Sequence, residues 1–143
     1  MISLSPYLNF RDNAREAMEF YHSVFGGNLD VTTFKDFHAS EDPSEDDLVM
    51  HSVVESKHIK LMASDTPNRM REGYTVGTNF SLSISGTQED EETLRGYFDK
   101  LSEGGKVVMK YEKAMWGDMF GMVDDKYGIG WMVNVEMPKG EKN

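Results

Sequence analysis

One order of elements occurs twice along this chain, and that repeat limits its folds more than any other feature. Residues 2–10 (ISLSPYLNF) alternate as a strand does, and Asn13 with Glu16 has the spacing of a helix capping box. Ala14, Ala17, Met18, Tyr21, Val24 and Phe25 then recur on one helical face, and Gly26-Gly27 stops the helix where left-handed backbone is needed. Three strands are expected next, at 29–37, 48–55 and 58–64, the last two joined by a polar turn at Ser56-Lys57. The second half repeats this order. A strand at 78–85 leads to Thr87 as cap, an acidic first turn at Glu89 to Glu92, and an apolar stripe of Leu94, Tyr97, Phe98 and Leu101. Gly104-Gly105 ends that helix, and strands at 106–115, 120–124 and Gly130–Glu136 follow.

The chain therefore reads βαβββ twice, an α+β architecture of two tandem modules at 1–64 and 78–143. The connector at 65–77 is rich in turn residues and lies within a single domain, 1–143. Four strands covered by one helix leave a sheet face bare. Pairing the modules into one curved, mostly antiparallel sheet around a cavity would cover it and give a place for a small ligand.

Composition narrows the chemistry. With no cysteine among 143 residues, thiolate zinc sites, iron–sulfur clusters, a catalytic thiol and disulfides are excluded. A net charge of −10 opposes phosphate backbones and anionic membranes, so neither nucleic acid nor membrane is expected as a partner. No run approaches the roughly 20 apolar residues of a membrane span, and residues 1–10 have neither the basic start nor the apolar length of a signal peptide. The expectation is a soluble, cytoplasmic protein.

Several segments resemble a known family. Pro6 to Phe10, Asn13 to Ala17 and Phe20-Tyr21 look like the opening of PhnB-like proteins, a branch of the glyoxalase/bleomycin-resistance/extradiol-dioxygenase (vicinal oxygen chelate) superfamily. Leu61 to Asp65 is similar to that branch's middle. Trp116-Gly117, Phe120-Gly121, Asp125 to Gly128 and Trp131 to Asn134 resemble its close. The resemblance spans nearly the whole chain and implies two βαβββ modules, a cavity and a homodimer. It also places Tyr7, Ala63 or Ser64, Asn79 and Met132 where metal-dependent members hold their ligands. A phenol, an amide and a thioether do not supply the anionic charge a divalent ion requires, so no metal and no cofactor are expected.

Among four histidines, His22, His38 and His58 lack converging partners and read as surface or loop residues. His51 alternates with Val49 and Val53, and the resemblance implies a histidine there. It is either hydrogen-bonded within the sheet or a catalytic proton donor or base facing the cavity. Residues 36–47 hold six acids without the ladder of a calcium loop and read as a solvated loop, a lid or a bias towards cations. Met115 to Phe120 and Trp131-Met132 are rich in aromatic and thioether groups. They are either core or a ligand-stacking wall, with Trp116 at a glycine-containing bend. Tyr7, Ser64, Asp65, Asn79, Trp116, Phe120, Trp131 and Met132 are thus the candidate ligand-binding residues, Ser64-Asp65 having a turn cap as its ordinary alternative.

Some relatives carry a methyltransferase label, but the turn after the first strand, Phe10-Arg11-Asp12-Asn13, lacks the glycines that hold a nucleotide-type methyl donor. Walker and Gly-x-Ser-x-Gly motifs are absent. Three functions remain. The leading one is binding of a small cationic or aromatic molecule; the others are metal-dependent glyoxalase-type catalysis with His51, and a dimeric interaction module.

Overall fold

The computed structural model describes residues 1–139. In the first half, the alternation of Leu8 and Phe10 with Tyr7 and Asn9 produces a short strand, β1 (Tyr7–Phe10), that buries the first pair and exposes the second. It is shorter than the 2–10 alternation suggested. All six stripe residues of α1 (Ala14–Phe25) are buried against the sheet, with Ala14, Ala17, Met18 and Tyr21 fully inaccessible. Each large side chain withdrawn in this way contributes about 1.5 to 3 kcal/mol. Strands β2 (Asn28–Thr33), β3 (Val49–Glu55) and β4 (Lys60–Asp65) follow. The sheet order is β1-β4-β3-β2, with β1 parallel to β4 and the other pairs antiparallel.

The second half builds the same object. Strand β5 (Leu82–Thr87) precedes α2 (Glu91–Ser102), and β6 (Lys106–Lys113), β7 (Met119–Asp124) and β8 (Gly130–Glu136) complete a sheet of order β5-β8-β7-β6. Leu94, Phe98 and Leu101 are buried, while Tyr97 is only half-buried. The repeat extends to the glycine pairs. Gly26 and Gly104 both take left-handed backbone, with φ of 72° and 73°. A Cβ on the next residue would lie 2.2 Å from the Glu55 carbonyl at Gly27 and 2.3 Å from the Asp124 carbonyl at Gly105. Each second glycine thus lets the chain pass close to the end of the third strand of its half.

The helix starts differ from the capping expectation. Asn13 makes no side-chain cap bond. The Ala14 amide instead donates to Asp65 Oδ1 at 2.9 Å, from the far end of β4. In the second half Thr87 does act with a local partner. The Asp90 carboxylate accepts from the Thr87 amide at 3.0 Å and from its hydroxyl at 3.4 Å.

Contacts divide the chain into two compact units, Met1–Thr75 and Val76–Asn143. Most of the connector read at 65–77 therefore falls within the first unit. Asp65 ends β4, the Asn68 amide donates to Glu45 Oε2 at 2.8 Å, and Arg71 pairs with Asp12. No helix among the described residues is long and apolar enough to cross a membrane.

Candidate functional site

Each sheet has one face under its helix and one open face, and period-two alternation assigns every strand residue to one or the other. In the first unit Tyr7, Asn9, Met62 and Ser64 alternate with the buried Leu8, Phe10, Leu61, Ala63 and Asp65, so they occupy the open face. His51 and Val53 join them from β3. The expectation that Val49 shares their face does not hold. Thr32 pairs with His51 but Thr33 pairs with Val49, leaving Met50 as an extra residue. That bulge turns Val49 under the helix, where it is wholly buried with Ser52 and Val54.

On this open face the Tyr7 side chain, 42% exposed, reaches across β4 to His51. Tyr7 Oη lies 3.3 Å from His51 Nδ1, with ring centroids 5.8 Å apart. The Thr32 hydroxyl donates to the His51 carbonyl at 3.1 Å. Ser64 pairs with Asn9 beside them. The structure thus brings together Tyr7, His51 and Ser64. Asp65 lies on the opposite face, 4% exposed, and both its oxygens are engaged, by the amides of Ala14 at 2.9 Å and Val49 at 2.8 Å. It also borders a concavity of about 490 Å³ at the start of α1, where Asp47 and Ser44 of the acidic loop meet Asp12, Arg15 and Glu19.

The second unit's open face has another character. One row across the strands is Met109, Met122, Met132 and Ser83, and the next is Glu112, Phe120, Asn134 and Ser85. Trp116 sits in the turn between β6 and β7, closed by the Ala114 amide donating to the Asp118 carbonyl at 2.7 Å. Its indole N–H donates to Asn134 Oδ1 at 3.4 Å, and its ring stands edge-on to Phe120 at 5.2 Å. Asn134 donates in turn to Asp118 Oδ2 at 3.2 Å. Trp116 is nevertheless 56% exposed. Phe120 and Met132 share its face, the former 8% exposed.

Trp131 belongs to the other face. It is 3% exposed and donates to Asp125 Oδ2 at 2.8 Å, while Asp125 Oδ1 accepts from the amides of Tyr127 and Ile129. Asn79 lies before β5, exposed and outside the sheet. Asn134, Asp118, Met109 and Met122 were not among the sequence candidates. Alternation along β8 puts Asn134 on the same face as Met132 and could have found it, but Asp118 is visible only in the folded turn.

Among the described residues no group of three or more histidines, aspartates or glutamates is arranged to hold a metal ion. At the positions where the superfamily resemblance implies ligands, Tyr7 is hydrogen-bonded to His51, Ala63 is buried without a side-chain donor atom, its alternative Ser64 offers only a hydroxyl, Asn79 is an amide outside the sheet, and Met132 offers only a thioether. Those donors do not fit a divalent cation.

Comparison with solved structures identifies the fold first. A member of the glyoxalase/bleomycin resistance protein/dioxygenase superfamily from Sphaerobacter thermophilus superposes with a TM-score of 0.56 at 16% identity, covering 95% of this chain and 99% of that one. The PhnB protein from Bacillus cereus gives 0.68 at 24%, covering 94% and 99%. Protein PA1353 from Pseudomonas aeruginosa gives 0.73 at 33%, covering 96% and 100%. The architecture is the glyoxalase/bleomycin-resistance fold. Within it, the chain belongs to the family described as 3-demethylubiquinone-9 3-methyltransferase, whose profile matches residues 3–134. Protein YjdN of Escherichia coli (strain K12) is 31% identical over 143 residues, covering 92% of this chain and 94% of its own length.

Proposed function

We propose that this protein binds a small aromatic or cationic molecule on the open face of its second sheet, without a bound divalent cation. The observation that carries the reading is Trp116, an exposed indole held in one orientation by Asn134 and Phe120 instead of being left to rotate. Holding the ring beforehand removes an ordering cost that binding otherwise incurs. The thioethers of Met122 and Met132 adapt to flat ligands and attract aromatic edges, and Glu112 at the margin together with the acidic net charge favours a cationic group. The methyl transfer in the family's description is not part of this reading, since the turn after β1 has no glycine.

Thermal-shift screening against cationic aromatic compounds tests the proposal. A compound present at about 100 times its dissociation constant stabilises the protein by about 2.7 kcal/mol. For any hit, Trp116→Ala is expected to weaken binding by roughly 1 kcal/mol or more. Unchanged affinity in that variant removes the indole from the site.

A further inference from the structure

The first unit's open face carries chemistry that the Trp116 reading leaves unused. Tyr7 Oη and His51 Nδ1 stand 3.3 Å apart, so one hydrogen lies between them. A phenolic hydroxyl is a strong donor, and an imidazole nitrogen bearing a lone pair is a strong acceptor. In the neutral pair the Tyr7 hydroxyl therefore donates to Nδ1, and the ring's own hydrogen resides on Nε2.

Nε2 has no partner. The one buried side-chain nitrogen or oxygen without a hydrogen bond among the described residues is Ser40 Oγ, so Nε2 of the half-buried His51 reaches the surface. With Nδ1 occupied and Nε2 protonated, the neutral ring has no free lone pair with which to act as a base. Beside it on this face Thr32, Ser64 and Asn9 are uncharged hydrogen-bonding groups, and Asp30, opposite Val53, adds a carboxylate two positions along β2 from Thr32.

We propose that this face is a second small-molecule site, in which neutral His51 donates from Nε2 to a carbonyl or carboxylate oxygen and Tyr7 is the positioning residue that sets the tautomer. The sequence left His51 as donor or base, and the geometry points to donor. The site does not depend on Trp116.

Long-range proton–nitrogen spectra of histidine-labelled protein at about pH 8.5, above the ordinary imidazole range, test this. His51→Gln identifies the resonances by their loss. The expected pattern is a hydrogen-bonded, unprotonated Nδ1 and a protonated Nε2, with Nδ1 moving to the position of a free acceptor in Tyr7→Phe. Protonated Nδ1 in the native chain, or an Nδ1 unmoved by Tyr7→Phe, overturns the proposal. Acetate and N-methylacetamide at tens of millimolar are the ligand probes. Movement of the His51 Nε2 hydrogen with acetate alone selects a carboxylate, with N-methylacetamide alone a neutral carbonyl, and with both either oxygen; movement with neither overturns the site.

Discussion

The two units share strand order, helix placement and even the crowding at their second glycines, yet each secures its framework by a different buried carboxylate. In the first, Asp65 ties the end of β4 to the starts of α1 and β3. In the second, Asp125 organises the turn before β8 and holds Trp131 under the helix. The open faces diverge further, polar around His51 and rich in thioether and aromatic groups around Trp116. Packing under a helix tolerates only side chains of suitable shape and polarity, so both covered faces are largely apolar with one buried carboxylate at the margin, placed differently in each. The uncovered faces are free of that demand and hold the two candidate sites.

The largest expected effect tests the first anchor. Asp65→Ala leaves two buried amides without an acceptor and is expected to cost about 4 kcal/mol in urea unfolding. A loss below about 1 kcal/mol would break the contrast with Asp125. Next, Gly27→Ala and Gly105→Ala force a methyl group against a carbonyl in each unit, and each is expected to cost about 2 kcal/mol or more. If only one is costly, the halves are not sterically equivalent. Trp131→Phe deprives Asp125 of its indole partner and is expected to cost about 2 kcal/mol, whereas Trp116→Phe stays within about 0.5 kcal/mol because its ring is exposed. Equal losses would erase the distinction between the two faces.

The smallest effect is a pH dependence confined to the second unit. Burial, and then its hydrogen bond to the Glu91 carboxylate at 3.1 Å, raise the Tyr111 hydroxyl above its ordinary value of 10.0. Raising the folded-state pKa makes the contribution complete below about pH 10 and lost as pH climbs through the elevated value. Alkaline unfolding followed with and without Tyr111→Phe is expected to show a shallower decline in the variant.

Local periodicity made much of this fold legible. The α1 stripe from Ala14 to Phe25 is buried as its spacing indicates, and β8 has the bounds its alternation indicates. Signals failed where the deciding partner is remote. Asn13 has the local look of a cap, but the acceptor for Ala14 comes from Asp65. Alternation put Val49 beside His51 because a bulge at Met50 changes the face without changing composition. The Tyr7 to His51 contact spans 44 positions, and no local pattern encodes it. Trp116 and Trp131 are similar in sequence context, and only the strand pairing shows that one is open and the other enclosed.

The Asp65 bond to Ala14 also sets a timetable. The helix start and its acceptor are 51 positions apart, so during synthesis α1 emerges with that amide unlatched and must wait for the end of β4. Nearly all of the first half has left the ribosome before that contact can form, so the first helix made is among the last parts of its half to be tied down at its start.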